Sequence, residues 1–237
     1  MIRVGTAVGT NDTQLIPFLR EMVYNKKLLD YVELYVQPSF KLKEILEWRE
    51  EPYVIRLHAP HDSRARYIPG YLKIANRARE LFQKDLPITI DAGLLFDEDA
   101  WKLGIKNIDV ENMPFITWLG DFTRFCLPEE IKGRFCFDFT HAYITALMIK
   151  EDPMLLLREF LKKKPNHFHF SGLGMKQKND HINLQDGEVP IPWVINELTK
   201  FKNPTVTIET DHEGANREKR IQDDLEFFRL FMELNAP

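Results

Sequence analysis

Cysteine is scarce in this chain: Cys126 and Cys136 are the only two among 237 residues, with no CxxC spacing and no Cys–His pairing. That excludes a disulfide framework and a thiolate zinc site, and it fits two reduced, buried thiols in the cytoplasm. Positive charge is not in excess either. Lys and Arg total 32 against 36 Asp and Glu, a net charge of −4. A globally basic nucleic-acid binder is excluded, although a local basic patch is not. No stretch approaches the roughly 18 apolar residues of a membrane span. The chain starts directly in MIRVGTAVG, with no charged segment leading into a long apolar one. Neither a membrane anchor nor a signal peptide is expected. Low-complexity linkers and breaks in composition are also missing, and the apolar share of 44% is enough for a proper core. A single domain over 1–237 is expected, since barrels of this length are commonly one unit.

What the chain does have is alternation. Strand-like runs occur at 2–8, 31–36, 53–58, 88–91, 107–111, 134–138, 167–171 and 205–209. Helix-like stretches fall at 13–27, 41–50, 70–83, 98–103, 115–125, 152–163, 191–201 and 216–234. Strand followed by helix, repeated, specifies a parallel sheet with crossover helices. Eight such units in this length predict a closed α/β barrel, (β/α)8, with an open doubly wound sheet as the rival.

Phase within the strands adds the next constraint. Ile108 and Val110 alternate with Asn107, Asp109 and Glu111. Phe135 and Phe137 alternate with Arg134, Cys136 and Asp138, and Phe168 and Phe170 with His167 and His169. Val206 and Ile208 alternate with Thr205, Thr207 and Glu209. Strand side chains alternate faces, so each strand has one apolar and one polar face. In a helix-wrapped barrel the apolar set meets the helices, which places the polar set in the lumen. Active sites of such barrels lie at the carboxyl ends of the strands. There the sequence delivers Glu33, His58, Asp91, Glu111, Asp138, His169 and Glu209, with His141 three residues after Asp138 and His181 in the loop after the seventh strand.

Carboxylates and imidazoles without thiolate suit a divalent metal, with zinc or manganese expected and magnesium or cobalt possible. Carboxylates converging without a cation would repel one another and shift upward in pKa. Glu111, Asp138, His169 and Glu209, each closing a strand, are the primary ligand set. The loop 59–70 (APHDSRARYIPG) adds His61, Arg64 and Arg66 beside the mouth, and the loop 172–190 adds Lys176 and Lys178. With Glu33, His61, Arg64, Arg66 and Lys176 form the expected substrate-binding set. Either loop can grip a phosphate. Arg56 points inward below His58 and is expected to pair with Asp109 or Glu33, while His167 lies deeper, in a core role. His212 and Glu213 follow the last strand as possible supporting groups.

The runs IRLHAPH, DVENMP, FDFTHA, HFHFSG, NDHINL and TIET, in this order, resemble the strand-end motifs of the xylose isomerase-like TIM barrels. That superfamily holds sugar isomerases, ketose 3-epimerases and endonuclease IV, and the resemblance covers nearly the whole chain. In epimerase-like members it implies that Glu111, Asp138, His169 and Glu209 hold one metal, with Glu111 and Glu209 as the acid/base pair around a sugar or sugar phosphate. Matched to endonuclease IV, it implies that Glu111 bridges two zinc ions. His58 then completes the first site, Asp138, His169 and Glu209 hold the second, and His141 with His181 belong to a third; DNA would be the partner.

This chain departs from the endonuclease pattern. Asp91 stands where a histidine is expected, Asn179 where an aspartate is expected, although Asp180 is adjacent, and His61 where a tyrosine is expected. The resemblance therefore favours a metal-dependent isomerase or epimerase, with a zinc-dependent phosphodiester hydrolase acting on abasic DNA as the alternative.

Overall fold

The structure is a computed structural model that describes residues 1–60, 70–91, 104–113, 134–174, 176, 179–210 and 216–235. His61, Arg64, Arg66, Cys126, Lys178, His212 and Glu213 lie outside these residues, as do the expected helices at 98–103 and 115–125.

Eight parallel strands close into a barrel. They are β1 (Arg3–Gly9), β2 (Tyr31–Tyr35), β3 (Val54–His58), β4 (Ile88–Asp91), β5 (Ile108–Glu111), β6 (Arg134–Asp138), β7 (His167–Phe170) and β10 (Thr205–Ile208). Their order around the ring is β1-β10-β7-β6-β5-β4-β3-β2. Sequential barrel strands are neighbours throughout. Closure excludes the open sheet. Among the described residues seven α-helices accompany it: Ile16–Arg20, Leu42–Arg49, Tyr71–Phe82, Phe139–Ile149, Pro153–Leu161, Ile191–Leu198 and Arg217–Leu234. No described helix is long and apolar enough to cross a membrane.

The strand phase sorts the side chains as the alternation requires. Ile88, Ile90, Ile108, Val110, Phe135, Phe137, Phe168, Phe170, Val206 and Ile208 are all buried in one apolar cluster with the helices. Phe137 stacks on Phe160 with ring centroids 5.4 Å apart and lies 4.6 Å from Phe139. Each such side chain contributes about 1.5–3 kcal/mol of transfer free energy. The opposite phase fills the lumen with buried Glu33, Arg56, Thr89, Asp109, His167 and Thr207. Register explains why they meet: Glu33 is level with Arg56, Thr89 with Asp109, and His169 with Thr207. Branched aliphatic residues dominate this space in most barrels of this type; here it is an ionic floor.

Three departures from expectation have local causes. The stretch 13–27 is one turn of 3-10 helix (Thr13–Leu15), the short α-helix and a π-helical turn (Glu21–Asn25), with Pro17 in the first turn of the α-segment. Between β6 and β7 stand two helices where one was expected. Phe139–Ile149 begins at once because Asp138 is its own N-cap, accepting a 2.6 Å hydrogen bond from the His141 N–H. It stops at Lys150, which is left-handed at φ 59°, and the second starts where Asp152 caps Met154 ahead of Pro153. Finally, β8 (Gly172–Gly174) and β9 (Asn179–Ile182) form an antiparallel hairpin after β7. Gly172 is required there, because a Cβ would lie 2.3 Å from the Asn183 carbonyl oxygen.

Candidate functional site

Glu111 and Asp138 are the last residues of β5 and β6, His169 is the third residue of β7, and Glu209 follows β10 directly. Glu209 continues the ladder through its N–H, which donates to the Phe170 carbonyl at 3.0 Å. Barrel stagger then brings one ligand atom from each of the four within 4.8 Å of all the others. A second trio, His58, Asp91 and Glu111, meets the same criterion, so Glu111 is common to both.

Glu111 is the hub. Its Oε2 lies 3.0 Å from His58 Nε2 and 3.2 Å from His169 Nδ1, and its Oε1 lies 3.4 Å from His141 Nδ1. His169 Nδ1 is also 3.2 Å from Glu209 Oε2. His58 Nε2 is 3.7 Å from Asp91 Oδ1. Among the described residues two buried ligand atoms of the cluster, Asp138 Oδ2 and His169 Nδ1, have no hydrogen-bond partner. The contacts of His169 Nδ1 have ion-pair distance without hydrogen-bond alignment. Buried polar atoms are otherwise almost always satisfied, so an unsatisfied pair at one point marks a place where a further group fits. Three carboxylates and an imidazole form a donor set for manganese, magnesium, cobalt or zinc.

The electrostatics are those of a negative pocket held together by imidazoles. Burial pushes Glu111 upward in pKa, but the charges of His169, His58 and His141 outweigh it and hold it well below the usual carboxylate range. Glu209 is lowered in the same way, burial being overcome chiefly by His169. His58, despite burial, rises to about 10 because Glu111, Glu209 and Asp91 face it. Asp138 rises to about 6, through burial and the charge of Glu111.

His58, His141 and His181 are each anchored through Nδ1 by a backbone carbonyl. His58 Nδ1 donates to the Ala59 carbonyl at 2.7 Å, His141 Nδ1 to the Asn112 carbonyl at 2.9 Å and His181 Nδ1 to the Glu209 carbonyl at 2.8 Å. The rings of His141 and His181 are edge to face at 6.0 Å. Asn179 turns inward on its own backbone, its Oδ1 accepting from the His181 N–H at 2.9 Å.

Two of the expected substrate contacts, Glu33 and Lys176, fall on described residues. Glu33 is fully buried beneath His169 and surrounded by hydrogen-bond donors, so it underlies the site and does not line it. Lys176 is exposed in the connection between β8 and β9. Arg56 pairs with both of its expected partners: it donates to Asp109 and lies 3.8 Å from Glu33. Asn112 was not singled out from the sequence. It clamps β5 to β6 by donating to the Asp138 carbonyl and accepting from the Asp138 N–H, both at 2.9 Å. Only its place beside Glu111 in DVEN hinted at that.

No protein-family model matches the sequence, and no curated protein matches it. Solved structures do. A protein provisionally named a xylose isomerase, from Rhodospirillum rubrum, superposes with a TM-score of 0.68 at 14% identity, covering 100% of both chains. One provisionally named a sugar phosphate isomerase/epimerase, from Anabaena variabilis, gives 0.59 at 11% identity over 100% of both. A xylose isomerase domain protein from Alicyclobacillus acidocaldarius gives 0.56 at 12% identity, covering 99% of this chain and 100% of that one. At these identities the likeness is one of fold, and the fold this chain shares with them is the eight-stranded parallel (β/α)8 barrel.

Proposed function

We infer that this chain is a divalent-metal-dependent enzyme that isomerises or epimerises a sugar or sugar phosphate. The observation that carries the reading is the convergence of Glu111, Asp138, His169 and Glu209 within 4.8 Å, with Asp138 Oδ2 and His169 Nδ1 unsatisfied. The names of the structural neighbours support the substrate class.

A cation held by these four residues supplies Lewis-acid stabilisation of the charge that develops on a substrate oxygen. The chain supplies the proton transfers. Glu111 and Glu209 are the carboxylates at the two ends of the four adjacent strands that build the cluster, on β5 and after β10. In epimerisation one would remove the carbon-bound proton beside the carbonyl and the other would return a proton to the same carbon on its other face; in isomerisation one would move that proton to the neighbouring carbon while the hydroxyl proton passes to the former carbonyl oxygen. His58 and His141 keep Glu111 ionised, the form a base requires. Asp138 Oδ1 accepts from the His141 N–H, and its unsatisfied Oδ2 is the oxygen that would help to hold a cation.

The test is solvent deuterium incorporation at the carbon next to the carbonyl, followed by NMR. A panel of ketoses, aldoses and their phosphates would be offered to protein reconstituted with manganese, magnesium, cobalt or zinc. Exchange with at least one pair is expected, and Glu209→Gln should cut it by about 10²–10⁴-fold. No exchange across the panel, or full exchange in Glu209→Gln, overturns the reading.

One observation favours a second reading, phosphodiester hydrolysis at two or more zinc ions. Glu111 is shared between two ligand clusters, and His58, His141 and His181 are each oriented by a backbone carbonyl, as metal-ligating histidines are. Two or three zinc ions per chain, nicking of duplex DNA at an abasic site and a large loss in His181→Ala would establish hydrolysis. A single exchangeable ion and a modest effect of His181→Ala support proton transfer.

A further inference from the structure

Glu33 is a carboxylate with no exposure, at the third position of β2, and it is crowded by donors. Its Oε2 accepts from Thr207 Oγ1 at 2.7 Å, His167 Nε2 at 2.9 Å and His169 Nε2 at 3.1 Å. Its Oε1 accepts from Thr89 Oγ1 at 2.6 Å, with Arg56 Nε 3.8 Å away. An ionised carboxylate only accepts, so the His169 nitrogen that faces it must carry the proton. When a cation takes the place of the second ring proton, the one that remains stays on Nε2 and the lone pair is on Nδ1. That is the atom that faces Glu111 and Glu209 and has no hydrogen-bond partner.

The same carboxylate fixes the neighbouring ring in the same sense. His167 donates through Nε2 to Glu33, and its Nδ1 meets the Thr205 hydroxyl at 2.7 Å. The two rings stand perpendicular, with centroids 5.0 Å apart, so neither can turn without striking the other.

We propose that Glu33 is the positioning residue of the metal centre, holding His169 in the Nε2–H tautomer and aiming its Nδ1 lone pair at the cation. The inference rests on the metal-dependent reading above. Glu33 touches neither cation nor substrate and acts through His169. A ligand must be deprotonated to bind, and the partner on its far nitrogen sets both its basicity and its direction. Arg56 and Asp109 hold that partner in place from below.

The experiment compares the wild-type chain with Glu33→Gln and Thr89→Val. Zinc and manganese affinities would be measured on metal-free protein by chelator competition, with circular dichroism and thermal melts to follow folding. Glu33→Gln removes the charge behind His169, whereas Thr89→Val removes a contact to the other oxygen of the same carboxylate. Glu33→Gln should weaken metal affinity about 10–100-fold. Thr89→Val should lower the melting temperature and leave affinity within about threefold. Unchanged affinity in Glu33→Gln, or equal losses in both variants, overturns the proposal.

Wild-type protein that binds neither metal overturns the metal-dependent reading itself, a separate outcome. Should Glu33→Gln not fold, nitrogen-15 NMR of the zinc-loaded wild type decides. A proton on His169 Nε2 with zinc on Nδ1 supports the assignment, and the reverse arrangement overturns it.

Discussion

The ionic floor of the barrel makes the sharpest stability prediction. Arg56→Met keeps most of the stem volume and removes the guanidinium. The Arg56 side chain is 5% exposed, donates to Asp109 and to Thr89 Oγ1 at 3.2 Å, and stands 3.8 Å from Glu33. Its loss leaves two buried carboxylates short of positive charge. Breaking a buried pair from one side costs about 3–5 kcal/mol, since the surviving charge is left uncompensated. Asp109 keeps Arg134, whose Nε is 2.8 Å from its Oδ1, and Glu33 keeps two imidazoles. The two losses therefore do not add, and the range stands for the whole substitution. For a chain of this size each kcal/mol moves the melting temperature by about 2–4 °C, so a fall of roughly 6–20 °C is expected. The assay is thermal and urea unfolding of metal-free protein, with the double variant Arg56→Met/Asp109→Asn. Adding Asp109→Asn should restore part of the loss, with a coupling of about 1–3 kcal/mol. A single-variant loss below about 1 kcal/mol, or strict additivity, would refute the argument that paired charge holds this lumen together.

Two further outcomes follow from the geometry. Burial raises the pKa of Asp224 to about 6 from 3.8, although it accepts from Thr210 Oγ1 at 2.7 Å and from the Leu184 N–H at 2.8 Å. The folded chain thus keeps a proton that the unfolded chain has released, and the group's stabilising contribution, complete below about pH 4, is lost as pH rises through about 6. Asp224→Asn does not titrate, so its stability relative to wild type should improve by up to about 3 kcal/mol between pH 4 and pH 8; a constant difference across that range in urea unfolding refutes this. Saturating the four-ligand cluster with zinc or manganese at about 100 times its Kd should add about 2.7 kcal/mol. A chelator should then lower the melting temperature by roughly 5–11 °C, and a melt indifferent to every divalent cation would exclude a metal at this site.

The eight strands were legible because the pattern of an apolar residue followed by a polar one survives even in four-residue runs such as HFHF and IDVE. That pattern also named the inward set. It could not say where β6 hands over to a helix, because Asp138 serves as both strand terminus and N-cap, with no turn residue to announce the change. Nor could it find the hairpin after β7, whose two strands are three and four residues long and held in place by the backbone packed against Gly172.

The instructive miss is Glu33. Alternation tells which face a side chain takes but not how high it stands, and height in a closed barrel is set by inter-strand register. In YVELY, Glu33 and Tyr35 share the inward phase. Tyr35 is the residue level with His58, and the two rings stack with centroids 5.5 Å apart, whereas Glu33 is level with Arg56 one layer down. His58, Asp91, Glu111 and Asp138 all end their strands, but Glu33 lies in the middle of its own. A carboxylate at that depth has no access to substrate, and nothing there rewards its charge except the donors around it. Four of them converge on it, and one is the back of the imidazole whose front faces Glu111 and Glu209. Depth, which the sequence does not encode locally, is what sets Glu33 behind His169 and away from the mouth of the barrel.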